Sequence, residues 1–186
     1  GDNIFHGHGF STIMKNALKK HAGATVFGYT VKDPERFGVV EFDANQKAIS
    51  LEEKPQHPKS NYAVTGLYFY DNRVCDFAKQ LKPSARGELE ITDLNRMYLD
   101  IGELNVEILG RGFAWLDTGT HDSMLQASLF VQTMELNKGV KISCLEEIAF
   151  NQGFITKDEL LKKIEKYGTK NDYYNYVRSV IEQPAP

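Results

Sequence analysis

Apolar residues recur along this chain at two different periods, and the switches between them mark out its elements. Phe10, Ile13, Met14, Ala17 and Leu18 follow the i, i+3, i+4, i+7, i+8 spacing of one helical face, with Ser11 placed as a possible N-cap. A helix to about Lys20, closed near Gly23, is predicted. From Ala24 the pattern turns to runs of β-formers: ATVFGYTV, then Val39 to Phe42 and Ala48 to Leu51 around an Asp43-Ala44-Asn45 turn, and a longer strand in AVTGLYFYD. The loops KDPERFG and EEKPQHPKS separate these strands with Pro and Gly. A short helix near Arg73 to Leu81, a helix within LEITDLNRMYLDIG, a strand near Asn105 to Leu109 and the run RGFAWLDTG follow. This alternation predicts an α/β protein with a largely parallel or mixed sheet. The opening GDNIFHGHGF shows neither period and reads as a turn-rich loop.

From Thr120 the pattern is helical. HDSMLQASLFVQTMEL carries a wide apolar stripe, and TKDELLKKI has Thr156 and Glu159 at capping-box spacing. YYNYVRSVI sets Tyr173, Tyr176 or Val177, and Val180 on one face before QPAP ends the helix. Such a tail is predicted to cover the sheet or meet a partner subunit. There is no internal repeat, low-complexity tract or linker.

Composition narrows the classes of partner. The 186 residues suffice for one domain of ordinary size, and 22 basic against 25 acidic residues give a net charge of -3 with no long single-sign run. That balance argues against nucleic acid or a membrane surface as partner and favours a small molecule or another protein. No apolar stretch reaches the length of a membrane span. Cys75 and Cys144, far apart, read as reduced thiols with a packing role. The chain is expected to be soluble and cytoplasmic. Its start, without Met, reads as cut.

The groups able to carry chemistry are Asp2, His6, His8, Glu53, Lys54, Arg86, Glu88, Glu90, Asp93 and Asp117. His6-Gly7-His8 lacks a Cys or third His at a helpful spacing, so a zinc site is set aside in favour of loop histidines. ELEITD is also what an ordinary helix start looks like, since acidic residues suit the first turn, and Lys54 before Pro55 is also what a solvated loop lysine looks like. Asp117 is more telling. It ends the apolar run Phe113-Ala114-Trp115-Leu116 just before Thr118-Gly119, at the carboxyl end of a predicted strand, where ligands collect in open α/β sheets. Asp2, in Gly-Asp-Asn, has a similar setting. Two such carboxylates with a lysine nearby suit a Mg²⁺ site in phosphate chemistry, and they also suit ordinary turns.

GDNIFHG, DPERFGVVEFD, ISLEEKP, SNYAVTGLYFYD, RGELEITDLN and RGFAWLDTGTHDSMLQAS stand in the order and approximate spacing of the glucose-1-phosphate thymidylyltransferases, which the whole chain resembles. The resemblance implies a three-layer α/β sandwich of the nucleotide-diphospho-sugar transferase type with a mixed, mainly parallel sheet. It implies that GDN lies mid-polypeptide, after a nucleotide-binding half with a G-x-G-T-R-L loop that this chain lacks. Residues 1–140 would then be the sugar-phosphate part and 141–186 a helical tail. Asp2 and Asp117 would hold Mg²⁺ between the nucleotide α-phosphate and the sugar phosphate. Lys54 would contact the phosphate of glucose 1-phosphate, with Arg86 as helper, and Glu53 would accept from sugar hydroxyls. Gly38, Val64 and Gly66 would bring backbone to the sugar, and Trp115 would wall the site. Phe37 stands where many relatives carry Tyr, so stacking alone must serve there. The implied reaction joins dTTP and glucose 1-phosphate to give dTDP-glucose and pyrophosphate, in a homotetramer with feedback by a downstream dTDP-sugar. Two alternatives stay open: a relative using UTP or CTP, and a non-catalytic chain retaining only the sugar half. By itself, 1–186 is expected to be inactive.

Overall fold

A computed structural model describes residues 2–20, 22–168 and 170–182. The chain divides by its contacts into two compact units, Gly1–Gly119 and Thr120–Pro186. This division coincides with the change to a helical pattern at Thr120. The helix that follows it therefore belongs with the tail, whereas a boundary at 140 would assign it to the sheet.

In the first unit, strands β1 (Asn3–Gly7), β2 (Ala24–Thr30), β3 (Gly38–Phe42), β4 (Ala48–Glu53), β5 (Tyr62–Tyr70), β6 (Leu104–Ile108) and β7 (Phe113–Asp117) alternate with helices α1 (Phe10–Leu18), α2 (Val74–Ala78) and α3 (Ile91–Asp100). Five strands form one sheet in the order β4-β3-β5-β2-β6, and β1 pairs with β7 in a separate ribbon. The sheet is mixed, as the alternation of elements predicts, but it is not mainly parallel as the resemblance implies: among the described residues most of its pairings are antiparallel. Among the described residues its parallel pairing is β2 with β6. The other pairings are antiparallel, and for β3–β4 the short Asp43–Lys47 connection leaves no room for a crossover.

Side-chain alternation gives the sheet two apolar faces. Phe27 on one face meets Ala17 of α1 and Leu109, with Phe5, Phe69 and Phe113 half-buried around them. On the other, Val40, Ala48 and Leu51 pack with Val106 and with Leu99 of α3. Helix, sheet, helix is thus the layer order.

Two readings of the opening segment are corrected. Residues 3–7 form a strand, because β7 supplies a hydrogen-bonding partner that local composition does not announce. Helix α1 is capped at Gly9, whose φ of 77° suits the chain reversal there, and Ser11 lies inside the first turn.

The second unit holds α4 (His121–Lys138), α5 (Leu145–Asn151), α6 (Lys157–Tyr167) and α7 (Asp172–Glu182). Capping boxes start α4, with Thr120 and Ser123, and α6, with Thr156 and Glu159 as expected. Cys144, Leu160, Ile164, Val177 and Ile181 make its core. On α7 the buried positions are Val177 and Ile181, so Ile181 and not Val180 completes the face, four residues on. The expected stop at QPAP lies outside the described residues.

Candidate functional site

The β1–β7 ribbon brings the two strand-end aspartates together. In its antiparallel register Asn3 lies opposite Asp117 and Phe5 opposite Trp115. The Thr118 amide donates to the Asp2 carbonyl at 2.7 Å, so Asp2 and Asp117 flank the same end of the ribbon. Asn3 ties this end together: its Nδ2 donates to Asp2 Oδ1 at 2.9 Å and its Oδ1 accepts from Trp115 Nε1 at 2.7 Å. Gly66 is where Asn3 lies against β5. A Cβ there would come within 2.2 Å of Asn3 Nδ2, so only glycine leaves room. The Phe37 ring packs on Trp115 at 5.0 Å between centroids. Arg36 sits over the Phe37 ring at 5.2 Å and reaches Asp117 Oδ2 at 3.7 Å.

A second group forms where β3 and β4 end and α3 begins. Gly38 pairs with Glu53, and Thr92 donates to Glu53 Oε2 at 2.5 Å. A Cβ on Gly38 would meet Thr92 Oγ1 at 2.8 Å, so the glycine makes that bond possible. Lys54 has φ +43°, in the left-handed region, and its amide donates to the Phe37 carbonyl at 3.0 Å. A continuing strand would turn Lys54 to the face opposite Glu53. The left-handed residue breaks that alternation, and Lys54 Nζ lies 3.9 Å from Glu53 Oε1. Arg86 is 3.7 Å from Glu53, 2.9 Å from Glu88 and 3.3 Å from the buried Glu90. Three carboxylates therefore share the charge that the resemblance reserves for a phosphate.

Tyr68 links the two groups. Burial first, then the negative charges of Glu53 and Asp2, push its phenol up to about 12, so both carboxylates lie within its electrostatic reach. It stays protonated and able to donate across the physiological range.

Of the residues marked in the sequence, the structure gathers Asp2, Asp117, Trp115 and Phe37 at the ribbon end, and Gly38, Glu53, Lys54 and Arg86 beside β4. Val64 is different: it packs with Val40, Ala48 and Leu51 in the core, leaving only its backbone for any ligand. His6 lies on β1 opposite Ala114, and His8 is exposed in the turn after it. Asn3, Arg36, Tyr68 and Thr92 were not picked out by sequence reasoning. Asn3 and Arg36 adjoin marked residues. Tyr68 and Thr92 reach the site through tertiary packing, for which no local pattern exists.

Among the described residues no three His, Cys, Asp or Glu side chains converge as a metal cage. Two carboxylates alone fit Mg²⁺, which keeps few protein ligands and fills its octahedron with water and substrate phosphates.

The first unit is thus a three-layer mixed α/β fold with paired carboxylates at a strand end and a lysine–glutamate pair alongside, at the strand-end position where open α/β sheets bind ligands. The chain belongs to the nucleotidyl transferase family, whose model matches residues 1–134. It is 59% identical over 183 residues to the glucose-1-phosphate thymidylyltransferase of Neisseria meningitidis, covering 98% of this chain and 63% of that protein. It is 55% identical to the enzyme of that name from Xanthomonas campestris, covering 100% of this chain and 62% of the relative. The chain thus spans under two thirds of the relatives' own length. A solved Bacillus anthracis protein assigned as a glucose-1-phosphate thymidylyltransferase, in complex with a sucrose, matches with a TM-score of 0.60 and 46% identity over 69% of this chain and 51% of that one. UDP-glucose pyrophosphorylase, solved with UDP-glucose, matches with a TM-score of 0.63 at 19% identity over 72% of this chain and 54% of that one, a likeness of fold alone.

Proposed function

We propose that this protein transfers a thymidylyl group from dTTP to glucose 1-phosphate, forming dTDP-glucose and pyrophosphate. The observation that carries this reading is the placing of Glu53 and Lys54 side by side at 3.9 Å: one acceptor suited to sugar hydroxyls, one cation suited to the attached phosphate. The identity of 59% to a thymidylyltransferase supports the choice of substrates.

A phosphate oxygen of the sugar attacks the α-phosphorus in line, that P–O bond forms, and the bond to pyrophosphate breaks. The nucleophile is already an anion, so no general base is needed; the protein must hold two mutually repelling anions in contact. Lys54 neutralises the sugar phosphate. Glu53, oriented by Thr92, fixes the sugar by its hydroxyls. Trp115 and Phe37 exclude water from one side, and Asn3 holds both Trp115 and Asp2 in position. Asp2 and Asp117 are the residues that would hold Mg²⁺, which when bound supplies charge neutralisation at the phosphates.

The protein is further proposed to act in the cytoplasm as a homotetramer feeding dTDP-sugars to cell-surface polysaccharide, including lipopolysaccharide. No helix among the described residues is long and apolar enough to cross a membrane. Exposed Met124, Leu125, Leu129 and Leu136 on α4 support an assembly.

The test is kinetic. In the full-length protein Asp117→Asn should lower turnover on the order of a hundredfold or more, the scale of several kcal/mol of lost transition-state stabilisation. Turnover within a few-fold of normal would remove Asp117 from the site.

A further inference from the structure

We propose that Arg36 is the resident counter-ion of Asp117 and sets how tightly the aspartate pair takes a divalent cation; this inference rests on the reading of Asp2 and Asp117 given above. The ribbon brings two carboxylates to one end, and such a pair calls for positive charge nearby whether or not a cation is bound. Arg36 supplies it from the 3₁₀ turn Pro34–Arg36, whose fixed Pro34 φ helps set the direction of the loop.

Three contacts define how Arg36 is held. Its Nη1 donates to Asp33 Oδ2 at 2.7 Å, its guanidinium covers Phe37 at 5.2 Å, and its Nη2 lies 3.7 Å from Asp117 Oδ2. The first is a charge-assisted hydrogen bond and the last is too long for one. Arg36 is therefore anchored to Asp33 and Phe37, and offers Asp117 charge without occupying its oxygen. Asp117 Oδ1 accepts the Gly119 amide at 3.1 Å. A cation can bind Asp117 without displacing Arg36, but it must do so beside a fixed like charge. Arg36 thus stabilises the empty pair and weakens the loaded one, which favours release of the metal with product.

The Arg36 side chain is 47% exposed, so its influence is screened and modest. Binding of Mn²⁺ alone to the full-length protein, followed by the electron paramagnetic resonance of the free ion, reads it without any turnover. Arg36→Gln keeps an amide for Asp33 and removes the charge; it should bind Mn²⁺ about two- to fivefold tighter. Arg36→Lys keeps the charge while losing the planar stack on Phe37, so it should bind Mn²⁺ more weakly than Arg36→Gln does. Added salt should narrow the gap between Arg36→Gln and the unsubstituted protein, which a merely structural change would not do. Unchanged or weaker binding by Arg36→Gln, with the unsubstituted protein binding well, would overturn the role of Arg36 and leave the aspartates standing. Equal binding by the unsubstituted protein and Asp117→Asn would instead overturn the aspartate reading, and this inference with it.

Discussion

Lys54 stands in a backbone conformation that its own side chain disfavours. At φ +43° a non-glycine residue crowds its Cβ against the following carbonyl, at a cost of roughly 1–2 kcal/mol. Glycine avoids that cost, at the price of a more flexible unfolded chain. Its ion pair with Glu53, at 3.9 Å and with Lys54 45% exposed, offsets little. Lys54→Gly should therefore be neutral or stabilising by up to about 1 kcal/mol while use of glucose 1-phosphate collapses. Urea unfolding alongside steady-state kinetics tests this, and a clear loss of stability would show that the turn depends on the lysine side chain. Gly66 makes the opposite case. Gly66→Ala puts a methyl group 2.2 Å from Asn3 Nδ2, so Asn3 must move and release Trp115 and Asp2. Turnover should fall at least tenfold, on the scale of a misplaced reacting group. Unaltered kinetics would show that Asn3 positions nothing. Both residues stood out in the sequence by resemblance, yet neither the strain at Lys54 nor the partner of Gly66 is visible there, since each depends on a segment distant along the chain.

At the scale of elements, periodicity served where an element buries one face against a neighbour. Helix α3, strands β2 to β5 and the capping box of α6 all lie where the pattern places them. It failed for β1, which is stabilised by pairing with a strand more than a hundred residues away and whose Gly and His content mimics a turn. It was silent about α5, a short helix held by packing into the tail's core. The middle of β5 shows a further property that the sequence leaves unmarked: Thr65 is fully buried with its hydroxyl unpartnered. A buried hydroxyl without a hydrogen bond costs about 1–3 kcal/mol, and valine has nearly the same shape without that cost. Thr65→Val should raise the urea midpoint by the equivalent of about 1 kcal/mol with kinetics intact. A lower midpoint would reveal that the hydroxyl has a partner after all.

For the whole molecule, the two units are stabilised by acid-sensitive contacts of different strength, and this predicts the order in which they fail. In the helical unit, Glu146 is held below the ordinary carboxyl value of 4.5 by the hydrogen bond from Tyr173 and by Lys163 nearby, Glu135 by Lys141, and Glu159 by Thr156 in the capping box. In the sheet unit, Asp71 is pulled far below its ordinary 3.8, chiefly by Arg73, with the Gly23 amide and Tyr98 also donating. A carboxyl with a depressed folded pKa binds fewer protons folded than unfolded, so its contribution is complete above the ordinary value and is lost as pH falls through the folded one. The glutamates begin to lose theirs below about 4.5. Asp71 begins only below 3.8 and, being shifted much further, retains part of its contribution to lower pH. Trp115, the single tryptophan, reports on the sheet unit alone, whereas most helical signal from the tail appears in far-ultraviolet circular dichroism. On acid titration, helix signal should therefore decline at higher pH than the Trp115 emission shifts. Tyr173→Phe should lower the tail's stability at neutral pH and shrink its loss in acid, because Glu146 then titrates nearer its ordinary value in both states. Coincident transitions in both signals, unmoved by Tyr173→Phe, would mean that the units unfold as one and that other carboxylates govern the acid limb.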